Sequence, residues 1–197
     1  MADIKSAWEI AQEKLAKIEE ATPEERLRWK YIPEGERLAA RFLKEDINLT
    51  AEINQYPDEN ARKCISQGVE DVLIRNIHLP SSDAVKKTNK RVMDTIKSLK
   101  SEKVAVENVF SQMRRLFNHY VTTGEEQRKQ SYEELKMDVA AKLQQAIREQ
   151  TGTAANYRID VERRPEFQSE WRKLSSQLDA QYLTHLDEYK EALLVID

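Results

Sequence analysis

The three histidines are the residues of this chain best suited to metal binding or acid–base catalysis. A di-iron or di-manganese helical bundle needs a glutamate three residues before its histidine. The histidines are His78, His119 and His185, and the residues three positions before them are Arg75, Leu116 and Tyr182. No two histidines have the spacing of a zinc site, and Cys64 has no second cysteine to join it. The sequence therefore predicts no metal site.

Other catalytic patterns are also missing from the sequence. The glycines at 35, 68, 124 and 152 are too scattered for a phosphate-binding loop. Paired acids such as Glu125-Glu126 come at or near helix starts, where the helix dipole explains them. We expect no cofactor and name no catalytic residue, although the fold could still assemble an acid–base pair from distant positions. An enzyme of unrecognised type remains the third hypothesis.

The clearest pattern is a hydrophobic repeat from Val85 to Tyr120, with no Gly or Pro inside it. Its members follow at spacings of three and four, which is the heptad seam of a helix that packs along other helices. We expect one long helix over about 83–122. The candidate interaction residues are those of the first half of the seam: Val85, Asn89, Val92, Ile96, Leu99 and Lys103.

Two polar residues in that half, Asn89 and Lys103, allow two interpretations. Polar seam residues fix register and oligomer number in parallel coiled coils. Alternatively, Asn89 lies near a frayed helix end, Lys103 extends to water, and the seam is that of an internal bundle helix. The first interpretation predicts a non-catalytic assembly or adaptor protein, which forms a homo-oligomer or binds a helical partner.

The same helix is locally basic, with nine Lys or Arg against four acidic residues between Asp83 and Thr122. The candidate basic face consists of Lys86, Lys90, Lys97 and Lys100. Binding of an anionic polymer such as nucleic acid is therefore the second hypothesis. No aromatic residues alternate with these lysines for base stacking, so a solvated face is the favoured interpretation.

Composition points to an all-α protein: charged residues are 34% of the chain, against only 4 Gly and 5 Pro. The net charge of −3 does not indicate a nucleic-acid-binding protein as a whole. No apolar run is long enough to span a membrane, and the start lacks the apolar stretch of a secretion signal. A single cysteine fits a reducing compartment, so we expect a cytoplasmic location and no membrane contact.

Helix signals divide the rest of the chain. An apolar stripe predicts a helix over 4–20, and Thr22 with Glu25 forms a capping box for a second helix. Pro33 and Gly35 are expected to keep that helix short, with a third helix carrying Leu38 and Phe42. Residues 47–53 fit either a strand or a helix. A further helix carries Ile65, Val69, Val72 and Ile77, and Ser82 can cap the long helix.

The C-terminal part is predicted to be two more helices. Gly124 marks a turn, after which helix 125–151 is expected to fold back antiparallel onto the long helix. Residues 157–162 alternate like an extended segment. A last helix follows Pro165 and is expected to return alongside the same part of the long helix. The fold we expect is a helical bundle organised on the long helix. Its proposed regions are an N-terminal helical region over 1–57 and a long-helix bundle over 58–197.

Two short segments resemble a family of small, uncharacterised bacterial helical proteins, grouped as a domain of unknown function. They are the opening Met1-Ala2-Asp3-Ile4-Lys5-Ser6-Ala7-Trp8-Glu9-Ile10-Ala11 and Leu73-Ile74-Arg75-Asn76-Ile77-His78-Leu79-Pro80. Neither segment is a chemical motif. The resemblance implies a bacterial cytoplasmic protein, and it implies no activity, ligand or functional residue.

Overall fold

A computed structural model describes residues 21–45, 47–151 and 160–197, and it confirms the all-α class. Its described residues form seven helices and no strand. The helices are α1 (Pro23–Lys44), α2 (Leu49–Asn54), α3 (Glu59–Arg75), α4 (Asp83–Leu99), α5 (Lys103–Val121), α6 (Thr123–Thr151) and α7 (Pro165–Val195). The helix expected over 4–20 and half of the segment expected to be extended, residues 157–159 of 157–162, lie outside the described residues.

The chain divides into two compact units. Among the described residues, unit 1 contains those up to Ile77 together with Lys90–Lys103 and Asp197, and unit 2 contains His78–Asn89 and Val104–Ile196. The regions 1–57 and 58–197 stay a prediction.

Helix α1 begins where the capping box predicts. The Glu25 N–H donates to the Thr22 hydroxyl at 3.2 Å, and the Thr22 N–H donates to the Glu25 carboxylate at 2.8 Å. The expected stop at Pro33 and Gly35 is wrong, because α1 continues through both residues to Lys44. Tertiary packing overrides the local breaking tendency here.

The packing that requires Gly35 is a direct backbone contact between α1 and α3. A Cβ atom at Gly35 would lie 2.1 Å from the carbonyl oxygen of Ile65, and one at Gly68 would lie 2.2 Å from that of Ile32. Only glycine lets two helix backbones approach this closely. Gly35 and Gly68 are therefore packing residues of unit 1.

The rest of unit 1 surrounds this contact. The ambiguous segment 47–53 contributes to α2, a short helix capped by Asn48, whose side-chain oxygen accepts from the Ala51 N–H at 3.1 Å. Helix α3 matches its prediction to within a few residues at each end. The core consists of side chains with almost no exposed surface: Ala39, Ala61, Ile65, Val69, Leu73, Ile74, Ile77, Val92 and Ile96.

The prediction of one continuous helix over 83–122 is wrong, because residues 100–102 separate α4 from α5. The backbone leaves the helix at Lys100, whose ammonium is buried against the Glu70 carboxylate at 2.8 Å. The N–H of Glu102 donates to the carbonyl of Asp197 at 3.0 Å. The heptad spacing runs unchanged across the break, and no Gly or Pro marks it.

The turn expected at Gly124 is also wrong. Only Thr122 separates α5 from α6, so the two helices follow one another as a single bent helix. Helix α7 is the antiparallel neighbour instead, since residue numbers rise along α7 as they fall along α6 and α5. The pairs that establish this are Phe167 with Tyr132, Asp179 with Arg128, and Tyr182 with His119.

Candidate binding cleft on α5, α6 and α7

The residues predicted to form an interaction seam do not share one environment. Val92 and Ile96 are 0% exposed, whereas Val85 and Leu99 are half-buried and Lys103 is exposed. Val92 and Ile96 belong to the core of unit 1. A partner could reach these two side chains only if the unit opened.

Asn89 has a local role inside unit 2. Its side chain is buried, its Oδ1 accepts from the His78 N–H at 3.1 Å, and its Nδ2 donates to the His78 carbonyl at 2.6 Å. Both backbone groups of His78 are thereby satisfied by one amide. Asn89 fixes the segment before α4 to that helix.

The predicted basic face is interrupted at one of its four members. Lys100 is 7% exposed and pairs with Glu70, which contradicts the expectation that it points to solvent. Lys86 is exposed and pairs with Asp83 at 2.9 Å, while Lys90 is exposed and Lys97 is half-buried. A long stem and a buried carboxylate draw Lys100 inward, which the charge pattern alone does not indicate.

A cleft of about 570 Å³ lies on α5, α6 and α7 in unit 2. Helical spacing of three and four positions brings its side chains to one side of each helix. The lining residues are Leu116 and His119 from α5, Gln127, Gln130, Ser131 and Glu134 from α6, and Gln177, Leu178, Gln181, Tyr182 and His185 from α7. The cleft therefore has two apolar side chains among many neutral polar groups.

Beside the cleft, an arginine stabilises the bend between α5 and α6. Arg128 donates to the Tyr120 carbonyl at 3.1 Å and pairs with Asp179 at 3.2 Å. Its guanidinium also lies over the Tyr120 ring, 4.1 Å from the centroid. Burial, together with the negative charge of Asp179, raises the pKa of the Tyr120 hydroxyl. These contacts connect α7 to the bend and so fix one side of the cleft.

Two hydrogen bonds orient the imidazoles of the cleft. Nδ1 of His119 lies 2.9 Å from the Tyr182 hydroxyl, and Nδ1 of His185 lies 3.1 Å from a Glu188 carboxylate oxygen. Gly124 makes room for Tyr182, because a Cβ atom there would lie 2.9 Å from the tyrosine hydroxyl. These contacts fix the position of Tyr182 and the orientation of both imidazoles, so the cleft presents hydrogen-bonding groups in defined directions.

Sequence reasoning missed this cleft. It named His119 and His185 as residues suited to metal binding or acid–base catalysis, but it did not bring the two together. The signal available was the pair of glutamines at 127 and 130 and the pair at 177 and 181, each on one helix face. Recognising the cleft required knowing that α6 continues α5 as one bent helix instead of folding back onto it.

A second cleft, of about 530 Å³, lies within unit 1. Its arginine, Arg91, is already engaged: the guanidinium stacks over Phe42 at 4.0 Å and donates to the Glu45 carbonyl at 3.1 Å. Asp94 also lines this cleft. These contacts explain Arg91 as a packing residue between α1 and α4.

Two kinds of site were sought among the described residues. No group of three or more His, Cys, Asp or Glu side chains in residues 21–45, 47–151 and 160–197 is placed to bind a metal ion. Within the same ranges, no helix has the length and apolar character needed to cross a membrane. The cleft on α5, α6 and α7 is therefore the candidate site that the geometry offers.

A family model, described as a family of unknown function, DUF6657, matches residues 50–195. The chain belongs to this family. The expectation of an uncharacterised domain family is thereby confirmed. No curated protein matches the chain, and no solved structure does.

The part of the chain matched by DUF6657 includes every residue that lines the cleft of unit 2. It also includes Gly68 and both residues of the Lys100–Glu70 pair. Helix α1, with Gly35, lies before the matched residues. The cleft and the antiparallel packing of α6 with α7 are thus features of the DUF6657 segment itself.

Proposed function

We propose that this protein is a non-catalytic assembly or adaptor protein, working in the cytoplasm, which associates with a second copy of itself. The contact surface we infer is the α6–α7 hairpin, meaning residues 123–151 and 165–195. This replaces the seam over 85–103 as the interaction surface. The cytoplasmic location is supported by the lone cysteine, Cys64.

The observation that carries the proposal is the incomplete burial of the apolar side chains in the hairpin. Among the described residues of α6, Val139 is the one large apolar side chain that is buried, and Met137 is 65% exposed. The half-buried apolar residues of the hairpin outside the cleft include Tyr132, Leu135, Leu143, Ile147, Trp171 and Leu174. A small cluster of Val139, Val161 and Phe167 is the only buried core near the loop end of the hairpin, within the part of it that is described.

Two helices side by side can each cover only one face of the other. A four-helix bundle buries the remaining flanks, with helices about 20° from antiparallel. Each Å² of apolar surface removed from water stabilises by about 25 cal/mol. Burial of the half-buried apolar side chains of the hairpin therefore favours association. Two hairpins related by a twofold axis would form such a bundle from identical surfaces.

Light scattering on a size-exclusion column tests the proposal, with Leu174→Glu as the disrupting variant. Leu174 is one of the half-buried apolar residues of the hairpin. Ser176, an exposed residue on the same helix, provides the matched control Ser176→Glu. We expect the native chain and Ser176→Glu to form a dimer. We expect Leu174→Glu to elute as the 23.0 kDa monomer.

Two readouts keep the result interpretable. The far-ultraviolet circular dichroism of Leu174→Glu should match that of Ser176→Glu, because a half-buried position can carry a charge without unfolding the helix. The dimer should persist when salt is raised, since apolar association is not screened by ions. A native chain that stays monomeric throughout the micromolar range would overturn the proposal.

A further inference from the structure

We propose that the cleft on α5, α6 and α7 is a binding site for a small, uncharged, polyhydroxylated molecule, that is, a mono- or disaccharide. This inference does not depend on the proposed association through the hairpin. It rests on the charge, the hydrogen-bonding groups and the fixed geometry of the cleft.

The charge of the lining excludes most ionic ligands. No Lys or Arg is among the lining residues described, so a phosphate or carboxylate would lose water without gaining a cationic partner. The only carboxylate in the lining is Glu134, which already accepts a hydrogen bond from the Gln130 amide at 2.8 Å. A neutral ligand avoids the desolvation cost of an unpaired charge.

The hydrogen-bonding groups of the lining match hydroxyl groups. Four glutamines line the cleft, and each side-chain amide offers both an acceptor oxygen and two donor hydrogens. The hydroxyl of Ser131 and the imidazole of His185 also line the cleft, and each can both donate and accept hydrogen bonds. A sugar hydroxyl is likewise both donor and acceptor, so neighbouring hydroxyls can pair with one amide in both directions.

Geometry favours a formed site over a collapsed one. Tyr182 is fixed by the hydrogen bond to His119, by an edge-on contact with Tyr120 at 5.2 Å between centroids, and by the absence of a side chain at Gly124. Leu116 and Leu178 supply apolar contacts for the ring carbons of a sugar. A volume of about 570 Å³ is within the common range of small-molecule sites.

Saturation-transfer NMR with the full chain tests the proposal. The neutral probes are glucose, maltose and cellobiose, and the charged probes of the same shape as glucose are glucuronate and glucosamine. We expect at least one neutral sugar to bind at millimolar concentration or below, and more tightly than glucuronate. We expect Gln181→Ala to weaken binding of that sugar roughly fivefold, by removing one hydrogen-bonding partner.

Two controls separate the cleft from other surfaces. Gln145→Ala removes a glutamine from α6 that does not line the cleft, and it should leave binding unchanged. Ser176→Glu changes an exposed position of α7 that does not line the cleft, and it should also leave sugar binding unchanged. The proposal is overturned if no neutral sugar binds, if glucuronate binds more tightly than all of them, or if Gln181→Ala binds as the native chain does.

Discussion

The two units of this protein use their apolar side chains differently. Unit 1 encloses them: Ala39, Ile65, Val69 and Leu73 have no exposed surface, and α1 contacts α3 backbone to backbone. In unit 2 the α6–α7 hairpin leaves Trp171, Leu174 and Leu178 half-buried. A closed core cannot accept another helix without opening, whereas a two-helix hairpin gains stability when one is added. The difference supports the proposed association through the hairpin and makes unit 1 the more completely packed part of the chain.

The largest expected effect is on the backbone contact of unit 1. Gly68→Ala should destabilise the fold by more than about 3 kcal/mol, because its Cβ would meet a main-chain oxygen at 2.2 Å. Gly124→Ala is the matched control, since its Cβ would meet the side chains of Tyr182 and Arg128 rather than the backbone of another helix. Urea unfolding followed by circular dichroism measures both. If the two variants lose the same free energy of unfolding, the close backbone contact between α1 and α3 is contradicted.

The second effect concerns the ion pair at the break between α4 and α5. Lys100→Ala should cost about 3–5 kcal/mol, because it leaves the Glu70 carboxylate buried and unpaired. The comparison is Lys86→Ala, which removes an exposed partner of Asp83 and should cost less than about 1 kcal/mol. If the two variants unfold at the same urea concentration, the pair at Lys100 is not a buried one.

A third variant tests a contact inside unit 2. Asn89→Ala removes both hydrogen bonds to the His78 backbone and should cost about 2 kcal/mol. Asn108→Ala, at an exposed position of α5, is the control. Amide hydrogen exchange reports the effect locally, because the His78 N–H should lose protection in the Asn89 variant. Unchanged protection would contradict the role given to Asn89.

Local signals predicted the starts of α1 and α4, because helix capping depends on neighbouring residues. The Thr22–Glu25 capping box is present, and the Ser82 hydroxyl accepts from the Val85 N–H at 3.3 Å. The periodicity of α3 is likewise a local property, and its helix was predicted. The all-α class follows from many such signals together.

Predictions from the sequence were wrong where contacts between residues distant in the chain determine the structure. Pro33 reads as a helix stop, but the contact of Gly35 with Ile65 stabilises a continuous α1. At the break over 100–102, Lys100 pairs with Glu70, thirty positions away, and no local residue indicates the break. The cleft required the pairing of α7 with α5 and α6, which no single-helix pattern contains.

The smallest expected effect is a pH dependence at the end of the hairpin. Lys136 holds the pKa of Glu162 below its usual value of 4.5 through a hydrogen bond and its positive charge. A lowered pKa in the folded state stabilises the fold at pH values above the unfolded pKa, and that stabilisation is lost as the pH falls through the folded pKa. The hydrogen-exchange protection factors of the α6 amides around Lys136 should therefore decrease as the pH falls below the usual pKa of 4.5. In Glu162→Gln this pH dependence should disappear, and its persistence would assign the effect to another carboxyl.

Association through the hairpin is the central claim, and the mass of the native chain in solution tests it most directly. Light scattering across the micromolar range, at low and at high salt, should give twice the 23.0 kDa of one chain at both salt concentrations. Leu174→Glu should return the mass to that of one chain with its helix content unchanged. A native chain that remains at 23.0 kDa, or a Leu174→Glu variant that remains dimeric, would contradict the account.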